Sequence, residues 1–189
     1  MRKIFIFISG CMMMLACNNQ QKTDSETKAA GATTDSSATK PQPPAEFADA
    51  KYVEMGKATL GAFEKGDVDA WLKDFADNAV FLWSSGDSLA GKPAITDYWK
   101  NRRANVIDSI KFSNDVWLPI KINKSQVEGA DRPGVWLLSW YQVNVKYKKG
   151  KKLQFWVHND YHFDASDKVD RAIQYIDRAP INAAIAAKK

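Results

Sequence analysis

Phe63-Glu64-Lys65-Gly66-Asp67-Val68-Asp69-Ala70-Trp71-Leu72-Lys73-Asp74-Phe75-Ala76-Asp77-Asn78-Ala79-Val80 is the stretch that decides the fold. Ahead of it, from Glu46 to Lys65, the residues Ala48, Tyr52, Met55, Thr59, Ala62 and Phe63 recur at helical intervals, which predicts a helix with one buried face. Gly66 stops that helix, and Asp67 follows as an N-cap for a second, short helix over Val68 to Ala76, with Trp71, Leu72 and Phe75 on one side. Asp77-Asn78 makes a turn. Val80 to Ser84 then has the β-branched and aromatic content of a strand, ended by Ser85-Gly86-Asp87.

Downstream, Gly91-Lys92-Pro93-Ala94-Ile95 opens a third helix, since Pro is favoured at the first helical position; Ile95, Tyr98, Trp99 and Arg102 share a face. Strands follow at Ile110 to Ile122, interrupted by Pro119, and in a long hairpin of Val135 to Tyr147 and Leu153 to Phe163. Val169 to Asp177 is a last strand, and Pro180 opens a short Ala-rich helix. No internal repeat is visible. Helix, helix, strand, helix and then four strands is an α+β order, with helices packed on one face of a curved antiparallel sheet.

In order and spacing, the opening stretch, Gly91 to Ile95, Phe163-Asp164-Ala165-Ser166-Asp167-Lys168-Val169 and Tyr175-Ile176-Asp177 resemble the nuclear transport factor 2-like superfamily, which includes SnoaL-like cyclases and ketosteroid isomerases. The resemblance covers nearly all of 45–189. It implies a cone-shaped domain, a curved mixed or antiparallel sheet wrapped on three N-terminal helices around an internal pocket, often dimeric through the outer face of the sheet. It does not imply one activity, because one fold carries many functions.

The 189 residues divide unevenly. Met1-Arg2-Lys3 and the uncharged run Ile4 to Ala16 are built like an export signal, too short for a permanent span. The segment resembles a bacterial lipoprotein signal with Cys17 as the acylated first residue. Ile8-Ser9-Gly10-Cys11 also fits a lipobox, but cutting there would leave a short apolar run and strand Met12 to Ala16 in water. Residues 17–44 lack large apolar and aromatic side chains and close on Pro41-Gln42-Pro43-Pro44, a tether composition. The domain is therefore 45–189, hung from a lipid anchor in the bacterial envelope, with the periplasmic side of the outer membrane expected. It contains no Cys, which excludes a disulfide scaffold. The formal charge of +5 includes Arg2 and Lys3 of the signal, and Lys146, Lys148, Lys149, Lys151 and Lys152 surround Gly150 as a solvated hairpin tip. Nothing in this pattern points to nucleic acid.

Strand alternation selects the inward face. Ser139, Tyr141, Val143, Val145, Tyr147 and Phe155, Val157, Asn159, Tyr161, Phe163 form the more apolar set, with Asn159 as its polar member. The resemblance puts Asn159 deep in the cavity wall, with Gln174 on the adjacent strand. Ketosteroid isomerases use a carboxylate base, a Tyr and a protonated carboxylic acid; the matching positions here are Trp83, Thr59 and Asn159, so that chemistry has no base. The expected ligand-binding set is Thr59, Phe75, Trp83, Trp99, Tyr141, Asn159, Tyr161 and Gln174, a site for a small apolar or aromatic molecule, with no catalytic residue and no cofactor. The alternatives are a lyase, isomerase or hydrolase using Asp87, Tyr161 and Gln174, or an interaction module whose rings fill a solid core.

On the other strand face lie His158, Asp160 and His162. The two imidazoles are about 13 Å apart at ~3.3 Å per residue, too far to share a metal ion. With Trp136, Trp140 and Trp156, His158 and His162 read instead as a homodimer interface, whose imidazoles would make the contact sensitive to pH.

Overall fold

The structure is a computed structural model that describes residues 41–127 and 132–186. Cys11, Cys17, the signal segment and nearly all of the tether lie outside those residues. Strand β1 (Ala45–Phe47) leads into helix α1 (Lys51–Lys65) and the single turn α2 (Val68–Trp71). Strands β2 (Phe75–Trp83) and β3 (Ser88–Ala90) precede helix α3 (Lys92–Asn105). Strands β4 (Ile107–Ile122), β5 (Gly134–Tyr147), β6 (Lys152–Phe163) and β7 (Val169–Tyr175) complete the sheet, and helix α4 (Ala179–Ala186) follows. This is the expected α+β class: one seven-stranded sheet in the order β1-β4-β5-β6-β7-β2-β3. Its pairs are antiparallel except β2 with β7, which run parallel, so the sheet is mixed.

The corner between α1 and α2 follows from two residues. Gly66 adopts φ 88°, a left-handed conformation that costs a glycine nothing, and its N–H reaches the Phe63 carbonyl at 3.0 Å. The Asp67 carboxylate then accepts from the Ala70 N–H at 2.9 Å, capping α2. The chain turns back on itself, and Phe63 meets Trp71 edge to face with ring centroids 5.0 Å apart.

Several boundaries differ from the sequence expectation; Asp77 and Asn78, expected as a turn, lie inside β2. Glu46 and Phe47 are not helical; they pair with Lys121 and Ile120 of β4, and α1 begins only at Lys51, whose N–H is bonded by the Asp49 carboxylate at 2.7 Å. Helix α2 stops at Trp71 instead of Ala76, because Phe75 already pairs with Val169 of β7. Phe75 faces the core from a strand, and that burial mimics helical spacing after Trp71 and Leu72. Pro119 does not interrupt β4. It falls just past the last β1 pair, and its carbonyl points outward to accept from the Ala48 N–H at 3.0 Å, so its nitrogen faces an edge where no ladder bond is lost.

Helices cover the concave face of the sheet. The core between them holds Phe63, Trp71, Leu72, Phe81, Ile95, Leu137, Tyr141, Val143, Val145, Val157 and Tyr161. The inward set of β5 and β6 is the one read from alternation, with Ser139, Tyr141, Val143, Val145, Tyr147, Val157, Asn159, Tyr161 and Phe163 all buried.

Candidate functional site

The core is not solid. Between the sheet and α1, α3 and α4 lies a cavity of about 100 Å³, counted as the space that water centres can occupy; one water needs only ~10–15 Å³ by that measure. Phe63 and Leu60 reach it from α1, Tyr98, Trp99 and Arg102 from α3, and Phe81 and Trp83 from β2. The sheet contributes Phe112, Tyr141, Val143, Val145, Phe155, Val157, Tyr161 and Gln174, and Arg178, Ile181 and Asn182 close it at the C-terminal side.

The rings form a connected array of edge-to-face and tilted contacts. Trp99 lies 5.2 Å from Phe63, 5.5 Å from Trp71 and 5.2 Å from Tyr98, and Trp83 lies 4.9 Å from Phe81 and 5.2 Å from Tyr98, centroid to centroid. At the position where the isomerase pattern has a base, the Trp83 indole N–H donates to Gln174 Oε1 at 3.0 Å. The parallel register sets this bond, since Trp83 pairs directly with Gln174.

Of the eight expected ligand residues, Trp83, Trp99, Tyr141, Tyr161 and Gln174 line this cavity. Thr59 and Phe75 do not. They line a separate void of about 20 Å³ between α1 and the sheet, because α1 turns that face toward Leu137 and Trp117. Asn159 is not on the wall either. It is 1 % exposed and sits behind it, donating from Nδ2 to the Tyr141 hydroxyl at 2.7 Å.

Tyr141 and Tyr161 are hydrogen-bonded to each other through their hydroxyls. Burial pushes the Tyr141 phenol up to about 12 even though Tyr161 and Asn159 bond it, and burial and the neighbouring Tyr141 hold Tyr161 well above the ordinary phenol value. Both remain neutral hydroxyls at physiological pH. Asp87 does not act alone at the cavity edge: it is ion-paired with Arg178 and accepts from the Ser85 hydroxyl at 3.3 Å.

Sequence reasoning missed two cationic lining residues. Arg102 stood on the α3 face with Ile95, Tyr98 and Trp99, so its helical spacing already aimed it inward. Arg178 lies beyond the last strand, where no periodicity signals orientation.

No protein-family model and no curated protein matches the sequence, so solved structures carry the comparison. The chain is similar to a protein of unknown function described as nuclear transport factor 2-like, from Burkholderia pseudomallei, at 12% identity and a TM-score of 0.56, over 71% of this chain and 97% of that one. The fold is nuclear transport factor 2-like. An epoxide hydrolase of Mycobacterium tuberculosis described as LEH-like matches at 14% identity and a TM-score of 0.53, over 72% of this chain and 90% of its own. TerC, co-crystallised with polyporic acid, matches at 13% identity and 0.52, over 71% and 98%.

The outer face of this nuclear transport factor 2-like sheet divides the expected interface residues. Trp156 is 55% and Trp140 36% exposed, and the His158 ring stacks on Trp140 at 4.4 Å with Tyr175 5.2 Å away. His158 Nε2 meets Asp160 at 2.7 Å, and its Nδ1 faces the Ser139 carbonyl at 3.0 Å. Burial pushes the Asp160 carboxyl up, while His158 and the Tyr175 hydroxyl draw it back down. Trp136 and His162 are a correction: each is only 7% exposed. The Trp136 indole N–H donates to the Arg132 carbonyl at 2.8 Å, and His162 Nδ1 meets Asp170 at 2.6 Å, so both are satisfied within the domain.

Proposed function

We propose that this protein is a lipid-anchored envelope protein whose nuclear transport factor 2-like domain binds a small, largely apolar or aromatic molecule without turning it over. The observation that carries the reading is the cavity wall: among the described residues that line it there is no Asp, Glu or His, and most of its surface is aromatic or branched aliphatic. General base catalysis needs a titrating acceptor within hydrogen-bond reach of substrate. Trp83 is a donor, the phenols of Tyr141 and Tyr161 stay protonated, and Asp87 is engaged by Arg178. The TerC co-crystal with polyporic acid supports a small-molecule partner. The epoxide hydrolase keeps a lyase, isomerase or hydrolase within reach of the fold, but this wall favours binding.

The anchor is acylated Cys17, after removal of 1–16, with 17–44 as the tether and the domain on the periplasmic side of the outer membrane. The basis is the sequence of that segment. A homodimer forms through Trp140, Trp156 and His158; the support is the cluster of exposed rings on that face.

Native mass spectrometry of the full-length protein, gently extracted from its own envelope, tests this reading. The expected spectrum shows a bound small mass, lost in Trp83→Asp, on a chain that starts at acylated Cys17. Protein that is empty in every preparation argues against ligand binding, and an unmodified Cys17 argues against the anchor.

A further inference from the structure

Two guanidinium groups reach the cavity, and they are not in the same state. Arg178 is paired with Asp87, donates to the Ser85 hydroxyl at 3.3 Å, and lies 5.2 Å over the Trp83 ring. Arg102 lies 5.6 Å over the Tyr98 ring. Among the described residues the arginines in ion pairs are Arg132 and Arg178, so Arg102 carries a positive charge into the cavity with no carboxylate against it. Tyr98 and Trp83 are 5.2 Å apart, so Arg102, Tyr98, Trp83 and Arg178 follow one another in a continuous row along the wall.

The other polar groups of the wall add to this imbalance. Trp99 has a buried indole N–H with no acceptor. The carbonyl of the Gln174 side chain, an obvious acceptor, is already used by Trp83. Asn182 and the tyrosine hydroxyls of the wall can donate or accept, so what the wall lacks is negative charge, and an incoming group must supply it to match the one uncommitted cation. A half-buried cation without a counter-charge gains most from such a partner. One guanidinium presents a planar fork that fits a carboxylate in two hydrogen bonds, and its single charge is balanced by a single negative charge.

We infer that the cavity takes an amphiphilic monoanion, a carboxylate on an apolar or aromatic body, with its head seated on Arg102 and its body among Trp83, Trp99, Phe112 and Val143. This names the ligand class for the binding role proposed above and rests on it. Arg102 sets specificity by charge, and the rings supply area that any apolar body would use.

Calorimetric titration of the full-length protein at neutral pH with two matched pairs tests the assignment. One pair is naphthoate and naphthylmethanol, the other decanoate and decanol. They separate an aryl acid from a lipid-derived one. Each favoured acid is expected to bind about tenfold tighter than its alcohol, the effect of one charge-assisted contact. Arg102→Gln brings the acid-to-alcohol affinity ratio to about one, and Arg102→Lys retains part of the preference. Acid and alcohol binding equally, or an acid preference that survives in a folded Arg102→Gln protein, overturns the head-group assignment while the pocket stands. If none of the four probes binds, the binding role fails and this inference fails with it.

Discussion

The Asn159 side-chain amide donates to the Tyr141 hydroxyl at 2.7 Å, so the one amide buried in the concave face of β6 is satisfied by a phenol of β5 that belongs to the cavity wall. Tyr141→Phe keeps the ring and removes the acceptor. An unpaired buried amide costs about 1–3 kcal/mol, so the unfolding free energy from urea titration should fall by that much at unchanged slope; a stability equal to the parent would mean the amide finds another partner.

The same phenols give the domain an alkaline limit. Tyr141 is neutral up to about 12 in the folded chain and ionises near the ordinary 10 once unfolded, so between those values the native state holds the proton that the unfolded state has lost. Stability is complete below 10 and falls as pH rises toward about 12. Phenolate absorbance in a pH titration should lose one late-titrating group in Tyr141→Phe, while Tyr161 still ionises late.

Glu64 produces the opposite slope in acid. Its carboxylate accepts from Lys111 Nζ at 2.6 Å and from the Phe112 N–H at 3.0 Å, and Lys111 leads in holding it below the ordinary carboxylate range. A depressed folded value means stability present above the unfolded value near 4.5 and lost as pH falls through the folded one. The unfolding free energy of Glu64→Gln from thermal melts should be about 1 kcal/mol lower at neutral pH and fall less on acidification than that of the parent. Parallel curves would remove Glu64 from the acid transition.

Helix α1 packs tightly against the sheet at Gly56. A Cβ there would stand 2.6 Å from Trp117 and 2.7 Å from Leu137, both side-chain atoms. Gly56→Ala should therefore destabilise by about 1–3 kcal/mol through overpacking, despite the better helix propensity of Ala. A melting temperature at or above the parent's would show that Trp117 moves aside freely.

Sedimentation velocity at micromolar concentration decides the proposed homodimer. Trp156 is more than half exposed, so Trp156→Asp should change the stability of the domain by no more than about 0.5 kcal/mol while converting dimer to monomer. Wild-type protein that already sediments as a monomer would sink the interface.

The parts of this fold legible in the sequence are those with a short-range cause. Gly66 and Asp67 dictate the α1–α2 corner by backbone conformation and capping, and the alternation along 135–163 selects the buried face without reference to any partner. The cavity was legible only in part. Trp83, Tyr141, Tyr161 and Gln174 lie on strands whose parity is fixed, and they reach it. Thr59 belongs to a helix whose rotation is set by close packing at Gly56, which spacing alone does not reveal, and Arg178 is oriented by a tertiary ion pair with Asp87. Trp136 and His162 share strand parity with Trp140 and His158, yet local partners at Arg132 and Asp170 bury them. Parity reports a face of the sheet but not what covers it.

The parallel pairing of β2 with β7 also orders events in time. Strands β4, β5 and β6 are sequential antiparallel neighbours whose pairing closes little chain, whereas Phe81 finds Ala172 only after most of the chain has been ordered or synthesised. Contacts so remote in sequence are slow to form, because chain closure must precede any gain from pairing. Until β7 arrives, 75–83 is an aromatic strand with a single short neighbour, a point at which a nascent or refolding chain is open to wrong association. The same step that ends this exposure joins Trp83 to Gln174, so the domain gains its cavity and loses its main folding hazard in one late event.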